Sequence, residues 1–553
     1  MDCIFSSGAC RFQPYVCWSP LAWRCDRGMP DRHLVRTRLC FPFKSPMEAT
    51  CSGPSPFAPQ NPPRASPLMK PRSVFVFLSA VTLLRLVWLA IQGVSAEEAY
   101  YWMCGSRMAA AFFDGPPGTA FLVRLLGMLT GDSLEVLRLA WPLFGFIAAW
   151  LAWLLARTLY NDLVAGWTVV ALNALPLFNE QCVTVGPGIP VLILSLAGML
   201  AAYSAVEGRR LDWILAAALL ALAALFRYEA VLVAMGLLIA VLSVLRKKET
   251  PDALAAAALI LLPLAALWSP LAWNAALDWI PIAGGTLQTW WRPQPGGWSR
   301  DLVEYFRQFS FAAGLALLGA LGGLIWTACH KNGRARFLLV TAGPASIWAL
   351  YQFLIGRDFS AAAWIAVVPL LIFLADAGSH WRWMGICGSA TVLVALVSSG
   401  LLLHEEGLQR AVWKTLASEI NAATREMPAT DGGGFLIAED ADQASVLAVY
   451  FKSTARSEYP PVFVPESPAL TSQFGIWPSY GNFIETDKAT DEFFTEQKGY
   501  NPFIGRHALY MGTELPQTVK GAFSEVKPLR GINLPDGRRM VIYLCLDYQT
   551  LPL

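Results

Sequence analysis

Apolar stretches of about 18 residues or more recur along this chain and limit its fold more than any other feature, because each could cross the roughly 30 Å hydrocarbon layer of a bilayer. A water-soluble protein would have to bury every one of them in a single structure. Only 15% of the 553 residues are charged, whereas soluble domains carry about 25%. The sequence therefore predicts an all-α, polytopic membrane domain.

The predicted spans end where the apolar runs meet polar or turn residues, and they give about 11 to 13 transmembrane helices. They lie at 73–91, 136–156, 163–180, 187–205, 211–226, 229–245, 252–271, 308–328, 337–355, 361–377 and 384–403. Residues 118–130 are also apolar, but the run is short and Arg124 interrupts it. We interpret 118–130 as an interfacial or re-entrant helix, since a further span there would invert everything after it.

Basic residues cluster in alternate loops, which predicts that those loops face the cytoplasm. The residues concerned are Lys70, Arg72, Arg209, Arg210, Arg246–Lys248, Lys331, Arg334, Arg336 and Arg382. The loops at 92–117 and 272–307 and the tail at 404–553 then lie outside. We expect an inner-membrane, multi-pass protein with a cytoplasmic N-terminus and a periplasmic C-terminal domain.

The two ends of the chain differ from the membrane domain at 69–403. Residues 1–68 hold much Pro and many Cys, without any CxxC pair. Because an apolar run follows Met69 directly, we interpret 1–68 as a misassigned translation start or a disordered leader. A Cys-rich, metal-binding extension is the alternative. In the tail at 404–553, strand-like stretches at 435–438, 508–511 and 540–546 predict a small α/β domain.

Several functions are excluded by what the sequence lacks. The net charge is +2 and no basic run is long enough to follow a phosphate backbone, so nucleic acid is not a predicted partner. The sequence contains no P-loop, no GxGxxG motif and no HExxH motif, and its five His are scattered. A nucleotide-driven pump and a histidine metal centre are therefore not expected.

The first external loop carries two adjacent carboxylates, Glu97 and Glu98, followed by Tyr100, Tyr101 and, further on, Asp114. A carboxylate just beyond a membrane span can act as a general base on an acceptor hydroxyl or amine. The aromatic side chains can pack on a sugar ring. The alternative is a solvated acidic loop whose Tyr and Trp residues anchor it at the membrane interface.

Arg227 and Tyr228 lie at the predicted outer end of another span. A guanidinium there can bind a lipid-linked phosphate with two parallel hydrogen bonds. Alternatively, Arg227 extends to the interface and pairs with Glu229. Arg85 lies inside the first span and needs a partner, for which Glu97 or Glu98 is near in sequence. Such a pair would be structural, or it would keep the carboxylate ionised for catalysis.

Asn274 and Asp278 follow the apolar run at 252–271, at another predicted outer end. Their side chains can hydrogen-bond a sugar. Capping of a loop helix, which needs no ligand, is the favoured interpretation of these two residues.

Three segments together resemble a known family. The run from Glu97 to Pro117 is similar to the "DEAYYW…YFDHPP" loop of the bacterial dolichyl-phosphate-mannose-protein mannosyltransferase-like family. Residues 225–230 resemble its "LSKYTA" segment, and residues 273–279 resemble its "WNxxHDW" segment. This is glycosyltransferase family 39, with its aminoarabinose-transferase relatives and its GT-C fold. Segments of the tail at 437–440, 473–478 and 505–510 resemble the family's C-terminal domain.

The resemblance implies a transferase that takes a sugar from a polyprenyl-phosphate donor to an extracytoplasmic glycolipid or protein, with inversion at the anomeric carbon. Glu97 stands where the family has its catalytic base, and Glu98 matches the following acid. Arg227 takes the place of a Lys near the donor phosphate. Tyr100, Tyr101 and Asp114 would shape the site beside membrane lipid. GT-C enzymes can use a divalent metal, although the scattered acids here do not demand one.

The sequence also departs from the family pattern. Glu97 stands where the family has Asp, and Gly115 stands where it has His. Residues 186–191 resemble the family's "TPDAPL" segment but lack its Asp. A displacement of about 1 Å in a catalytic group can reduce the rate about a hundredfold. A scaffold with weakened activity therefore remains an alternative. So does a transporter or flippase of lipid-linked sugars, which would place its charged residues near the middle of the membrane.

Overall fold

The computed structural model of the chain describes most residues after 70. The described residues are 71–91, 93–243, 253–282, 303, 306, 311–329, 333–354, 361–379, 411–430, 433–451, 461–467, 470, 472–481, 501, 503–535 and 537–549. The predicted leader at 1–68 and the predicted span at 384–403 lie outside them. The domain boundary predicted at residue 404 stays a prediction.

Helices between residues 71 and 379 form the membrane part and its loops. They are α1 (Pro71–Ile91), α2 (Ala96–Ser106), α3 (Gly118–Thr130), α4 (Leu134–Leu137), α5 (Ala140–Leu159), α6 (Asp162–Ala174), α7 (Pro176–Val183), α8 (Gly188–Val206), α9 (Asp212–Ala224), a 3-10 turn (Tyr228–Ala230), α10 (Val231–Ser243), α11 (Ala253–Ala276), α12 (Phe311–Cys329), α13 (Gly333–Leu354) and α14 (Ala361–Ser379). Within the described ranges, each predicted span up to residue 377 is mostly helical, and 118–130 is a helix with the predicted bounds.

Among the described residues, four helices are long and apolar enough to cross a membrane, or up to five if the bent pair α6–α7 is one span. Large apolar side chains point outward from these helices, including Leu84 and Trp268. Such exposure fits contact with lipid tails. The span predicted at 163–180 consists of two helices, because Pro176 begins a new helix and the chain bends by 70° there.

The C-terminal domain is a four-stranded sheet with helices. It comprises the helix at 411–424 (α15), β1 (Phe435–Ala438), α16 (Ala441–Tyr450), β2 (Ala508–Gly512), α17 (Gln517–Ala522), β3 (Phe523–Asn533) and β4 (Arg539–Tyr548). The strand order is β1-β2-β4-β3, with β1 and β2 parallel and the other pairs antiparallel. The three predicted strands are confirmed, and β3 is an additional strand.

The C-terminal domain packs directly on the loop helices that follow α1. One hydrophobic cluster contains Ala99 and Met103 of α2 together with Ala444 and Leu447 of α16. A separate cluster fills the interior between the membrane helices. Because α2 and α16 share a core, residues at the start of each helix come close to each other.

Candidate active site

The start of α2 is fixed by a reciprocal cap. The Ser95 side chain accepts a hydrogen bond from Glu98 N, and the Glu98 carboxylate accepts one from Ser95 N at 2.9 Å. This capping box satisfies backbone N–H groups that a helix start would otherwise leave unpaired. Glu97 therefore lies in the first turn of a helix whose entry is well defined.

Glu98 is buried, with 1% of its surface exposed, and joins three segments. Its Oε1 lies 3.5 Å from Nε of Arg138, which precedes α5, and accepts a hydrogen bond from Val185 N at 3.3 Å. Arg138 in turn donates to Gly93 O at 2.7 Å. Through these contacts Glu98 holds the segment before α8 against the start of α2.

Gly186, next to Val185, borders the Glu97 carboxylate. A Cβ atom at Gly186 would lie 2.9 Å from Glu97 Oε1, which is closer than ordinary contact. The Trp141 indole donates to Gly186 O at 3.1 Å and keeps this backbone in place. The segment at 186–191, where the sequence departs from the family pattern, thus lies directly beside the predicted base. Within that segment, a side chain at Gly188 would overlap Gln181 Oε1.

A tight turn and a glycine contact bring the other half of the loop to the same place. Phe112 and Gly115 exchange backbone hydrogen bonds at 2.9 and 3.2 Å, so Asp114 lies at the tip of a turn. After the double Pro, Gly118 N donates to Leu225 O at 2.6 Å. This bond ties the loop to the chain just before Arg227.

Arg227 lies among acidic and phenolic groups. Burial alone would lower the pKa of this guanidinium, but Tyr101, Glu229, Glu97 and Asp114 outweigh burial and raise it. Arg227 is therefore a permanent cation beside the predicted base.

Glu97 is accessible to solvent, yet protein surrounds it on most sides, so its carboxylate lines a recess. Desolvation by this protein raises the pKa of Glu97 to about 7, with Arg227 opposing the shift and Glu98 and Asp442 adding to it. We call the space bordered by Glu97, Asp114, Arg227 and Asp442 the site recess. A carboxylate with a pKa near neutrality can take up a proton in the reaction and lose it again afterwards.

Asp114 and the two tyrosines complete one side of the site recess. Burial raises the pKa of Asp114, while the Tyr100 hydroxyl and Arg227 oppose the shift. Burial likewise raises the pKa of Tyr100 and Tyr101, which therefore stay protonated as hydrogen-bond donors. The rings of Tyr100 and Tyr101 meet edge to face at 5.6 Å.

Tyr228 and Asn274 form a buried polar pair next to Arg227. The Tyr228 hydroxyl lies beside the Asn274 side chain, whose Nδ2 donates to Pro270 O at 2.9 Å inside α11. Neither the Tyr228 hydroxyl nor Asn274 Oδ1 has a hydrogen-bond partner within the described ranges. A buried polar atom without a partner is costly, so both atoms favour a water or ligand. Asp278 is exposed after α11, with a φ of 52°.

Arg85 does not have the acidic partner expected for it. Its guanidinium donates to Asn179 Oδ1 at 2.6 and 3.2 Å and to Asn173 Oδ1 at 3.0 Å. It also lies over the Phe178 ring at 5.0 Å. The Asn179 amide donates to Asn173 O, near the end of α6, and to Leu175 O, which precedes α7. Arg85 thus stabilises the break.

Two residues of the C-terminal domain reach the site without being predicted. Asp442, in the first turn of α16, interacts electrostatically with both Glu97 and Asp114. Gln473 accepts a hydrogen bond from Phe113 N at 2.7 Å. Asp442 lies just after the family-like segment at 437–440, and Gln473 begins the one at 473–478, but neither was predicted as a site residue. Within the described ranges, no three His, Cys, Asp or Glu side chains form a group suited to a metal ion.

Sequence similarity to known proteins extends over much of the chain. The family model "Dolichyl-phosphate-mannose-protein mannosyltransferase" matches residues 114–273. The lipid A galacturonosyltransferase RgtD of Rhizobium johnstonii is 24% identical over 357 residues, which span 62% of this chain and 66% of RgtD. The predicted family resemblance is confirmed. The matched segment spans slightly less than two thirds of RgtD.

Two solved structures share the fold. ArnT from Cupriavidus metallidurans bound to undecaprenyl phosphate has a TM-score of 0.59 at 14% identity, covering 88% of this chain and 100% of ArnT. Apo ArnT has a TM-score of 0.53 at 14% identity, covering 85% and 97%. The predicted GT-C fold with a small C-terminal α/β domain is therefore confirmed, and this protein is a multi-pass membrane protein.

Proposed function

We propose that the protein transfers a sugar from a polyprenyl-phosphate donor to an extracytoplasmic glycolipid or protein acceptor. The observation that carries this proposal is the pairing of Glu97, whose pKa is raised to about 7, with the permanent cation Arg227 in one solvent-accessible recess. A base for the acceptor and a cation for a phosphate are the two charges that such a transfer requires.

In the proposed reaction, ionised Glu97 takes the proton of an acceptor hydroxyl or amine. The oxygen or nitrogen of the acceptor attacks the anomeric carbon of the sugar. The bond from that carbon to the phosphate oxygen breaks, and the polyprenyl phosphate leaves with the electron pair. Attack opposite the leaving group inverts the anomeric carbon. Arg227 stabilises the charge that grows on the phosphate.

The remaining candidates have supporting roles in this proposal. Glu98 positions Glu97, because its carboxylate caps α2 and holds the chain beside Gly186. Tyr100, Tyr101 and Asp114 line the acceptor or sugar side of the site recess. The unpartnered atoms of Tyr228 and Asn274 are available to hydroxyl groups of the donor sugar.

The names of the relatives support the class of donor but not the particular sugar. ArnT was solved with undecaprenyl phosphate, and RgtD is named for galacturonosyl transfer to lipid A. We therefore propose a hexosyl or pentosyl donor on a polyprenyl phosphate. We also propose that the recess faces the periplasm from the inner membrane, as the basic loops predict.

The test uses the purified protein in lipid with a panel of radiolabelled polyprenyl-phosphate sugars and a panel of glycolipid and protein acceptors. Wild type is expected to release polyprenyl phosphate, and Glu97→Gln is expected to release almost none while still binding the donor. Arg227→Ala is expected to weaken donor binding. Thr327→Val, which removes a hydroxyl bonded within α12 at Gly323 O, serves as a control with wild-type release.

Other outcomes would support the alternatives. Donor binding without release by wild type would favour the scaffold. Movement of the labelled lipid between leaflets without transfer would favour the transporter or flippase. Full release by Glu97→Gln would refute the assignment of the base.

A further inference from the structure

The turn that carries Asp114 is held by a residue from the far end of the chain. Phe112 and Gly115 close this turn, and Phe113 N lies inside it with no partner in the turn itself. The Gln473 side chain supplies the acceptor at 2.7 Å, and both groups are buried. Gln473 has 1% of its surface exposed. A buried N–H group that lost this acceptor would be strongly unfavourable, so the bond fixes the turn.

Aromatic packing keeps Gln473 in place. Gln473 begins a 3-10 turn, and Trp477 N donates to Gln473 O at 3.1 Å. The Trp477 ring packs edge to face on Phe474 at 5.2 Å and lies under the Arg107 guanidinium at 5.5 Å. Because Arg107 directly follows α2, the segment at 473–477 contacts the loop at two places, Phe113 and Arg107.

We propose that Gln473 is a positioning residue for the transfer reaction, because it fixes the turn at 112–115 and thereby places Asp114 in the site recess. This inference rests on the proposed function. With this role for Gln473, the C-terminal domain contributes directly to the geometry of the active site. Asp442, which reaches Glu97 and Asp114 from α16 of the same domain, is consistent with that role.

Three variants test the role of Gln473. Gln473→Met keeps the length of the side chain and removes the acceptor, whereas Gln473→Glu keeps an acceptor oxygen. Asn501→Leu is the matched control. Asn501 is also a buried amide of the C-terminal domain, and its oxygen accepts a main-chain hydrogen bond from Phe503 at 2.9 Å.

The first measurement is hydrogen–deuterium exchange of the peptide that covers 108–118, in the full-length protein in lipid. It does not depend on activity. Gln473→Met is expected to speed exchange of the Phe113 amide by about tenfold or more, since that amide loses its acceptor. Gln473→Glu and Asn501→Leu are expected to leave this exchange near the wild-type rate.

The second measurement is steady-state release of polyprenyl phosphate. Gln473→Met is expected to lower kcat by about ten- to a hundredfold with little change in the donor KM, because the misplaced turn affects geometry rather than phosphate binding. Gln473→Glu is expected to recover most of kcat.

Two results would overturn the inference. One is unchanged exchange at 108–118 in Gln473→Met. The other is an equal loss of kcat in Asn501→Leu, which would show a general effect of weakening the domain. Failure of the proposed function itself would appear differently, as a wild type that releases no polyprenyl phosphate from any donor. The exchange measurement would still decide whether Gln473 holds the turn.

Discussion

The contact between Gly118 and Leu225 joins the loop that carries Asp114 to the chain that leads to Arg227. The substitution Gly118→Ala, which adds one methyl group, tests this contact. A Cβ atom at Gly118 would lie 2.5 Å from Leu225 O and 2.8 Å from Leu225 C. The nearer distance is about 0.9 Å short of an ordinary contact, which begins at 3.4 Å. The obstacle is backbone, so no flexible side chain can move away. Gly118→Ala must therefore separate the loop from the chain that leads to Arg227.

The size of the effect follows from this displacement. A shift of about 1 Å in a catalytic constellation typically reduces the rate about a hundredfold. We therefore expect kcat/KM for polyprenyl-phosphate release to fall by about a hundredfold in Gly118→Ala, which corresponds to about 2.7 kcal/mol of transition-state stabilisation. The hydrogen bond from Gly118 N to Leu225 O, 2.6 Å in the wild type, should lengthen or break.

The assay compares Gly118→Ala with Gly319→Ala in lipid, at matched protein and donor concentrations. A Cβ atom at Gly319, inside α12, would meet nothing within 4 Å, so that variant should keep wild-type kcat/KM. Thermal unfolding of both proteins separates loss of geometry from loss of fold. A Gly118→Ala protein with kcat/KM within threefold of wild type would refute the reasoning, because the loop and Arg227 could then move apart without consequence.

Further predictions concern the base and its neighbours. Since Glu97 must be ionised to accept a proton and its pKa is about 7, kcat/KM should fall about tenfold per pH unit well below pH 7. Asp442→Asn removes a charge that raises the pKa of Glu97, so the acid limb of the pH profile should move to lower pH. Arg227→Gln removes a charge that lowers the pKa of Glu97, so the acid limb should move to higher pH. Equal shifts of the same sign in the two variants would contradict this account. Gly186→Ala should lower kcat about tenfold, which is less than the effect of Gly118→Ala, because the new Cβ meets the movable end of the Glu97 side chain. An unchanged kcat would show that Gly186 does not hold the Glu97 carboxylate in place. Glu98→Ala should destabilise the protein by about 3–5 kcal/mol in chemical denaturation, because it leaves a buried arginine without its partner; a midpoint equal to wild type would argue against the ion pair.

The helices could be predicted well from the sequence because long apolar runs have few alternatives in a bilayer. The bounds of α1 and α3 match the predicted ones within two residues. The break between α6 and α7 was missed, although Pro176 lies just before Asn179, whose amide bridges the break by donating to Asn173 O and Leu175 O. Strand β3 was missed because it is an edge strand with a mixed burial pattern and a register shift near Pro528. Its polar residues obscure the alternation that identifies a strand.

The candidate site could be predicted only where residue type or a short sequence motif indicates a function. Glu97 and Arg227 were identified from residue type and from the family resemblance, and the structure brings them together. The roles of Asp442 and Gln473 depend on tertiary contacts, and Gln473 meets Phe113 across 360 positions of sequence. No local pattern encodes a contact of that kind. The partner of Arg85 was predicted wrongly because nearness in sequence favoured the acids, whereas the folded chain brings in two asparagines.

The partnership of Arg85 with α6 and α7 has a consequence for how the protein enters the membrane. Arg85 lies within α1, but Asn179 follows it by 94 positions, so α1 is synthesised long before the asparagine exists. Arg85 lies in the C-terminal half of α1, where an arginine costs less than the roughly 2.5–3.5 kcal/mol that it costs at the centre of a newly inserted helix. Until α7 arrives, α1 must carry this cost alone, held by its apolar residues or by the insertion machinery. The chain from α1 to α7 must therefore be inserted before Arg85 can form its hydrogen bonds to Asn179.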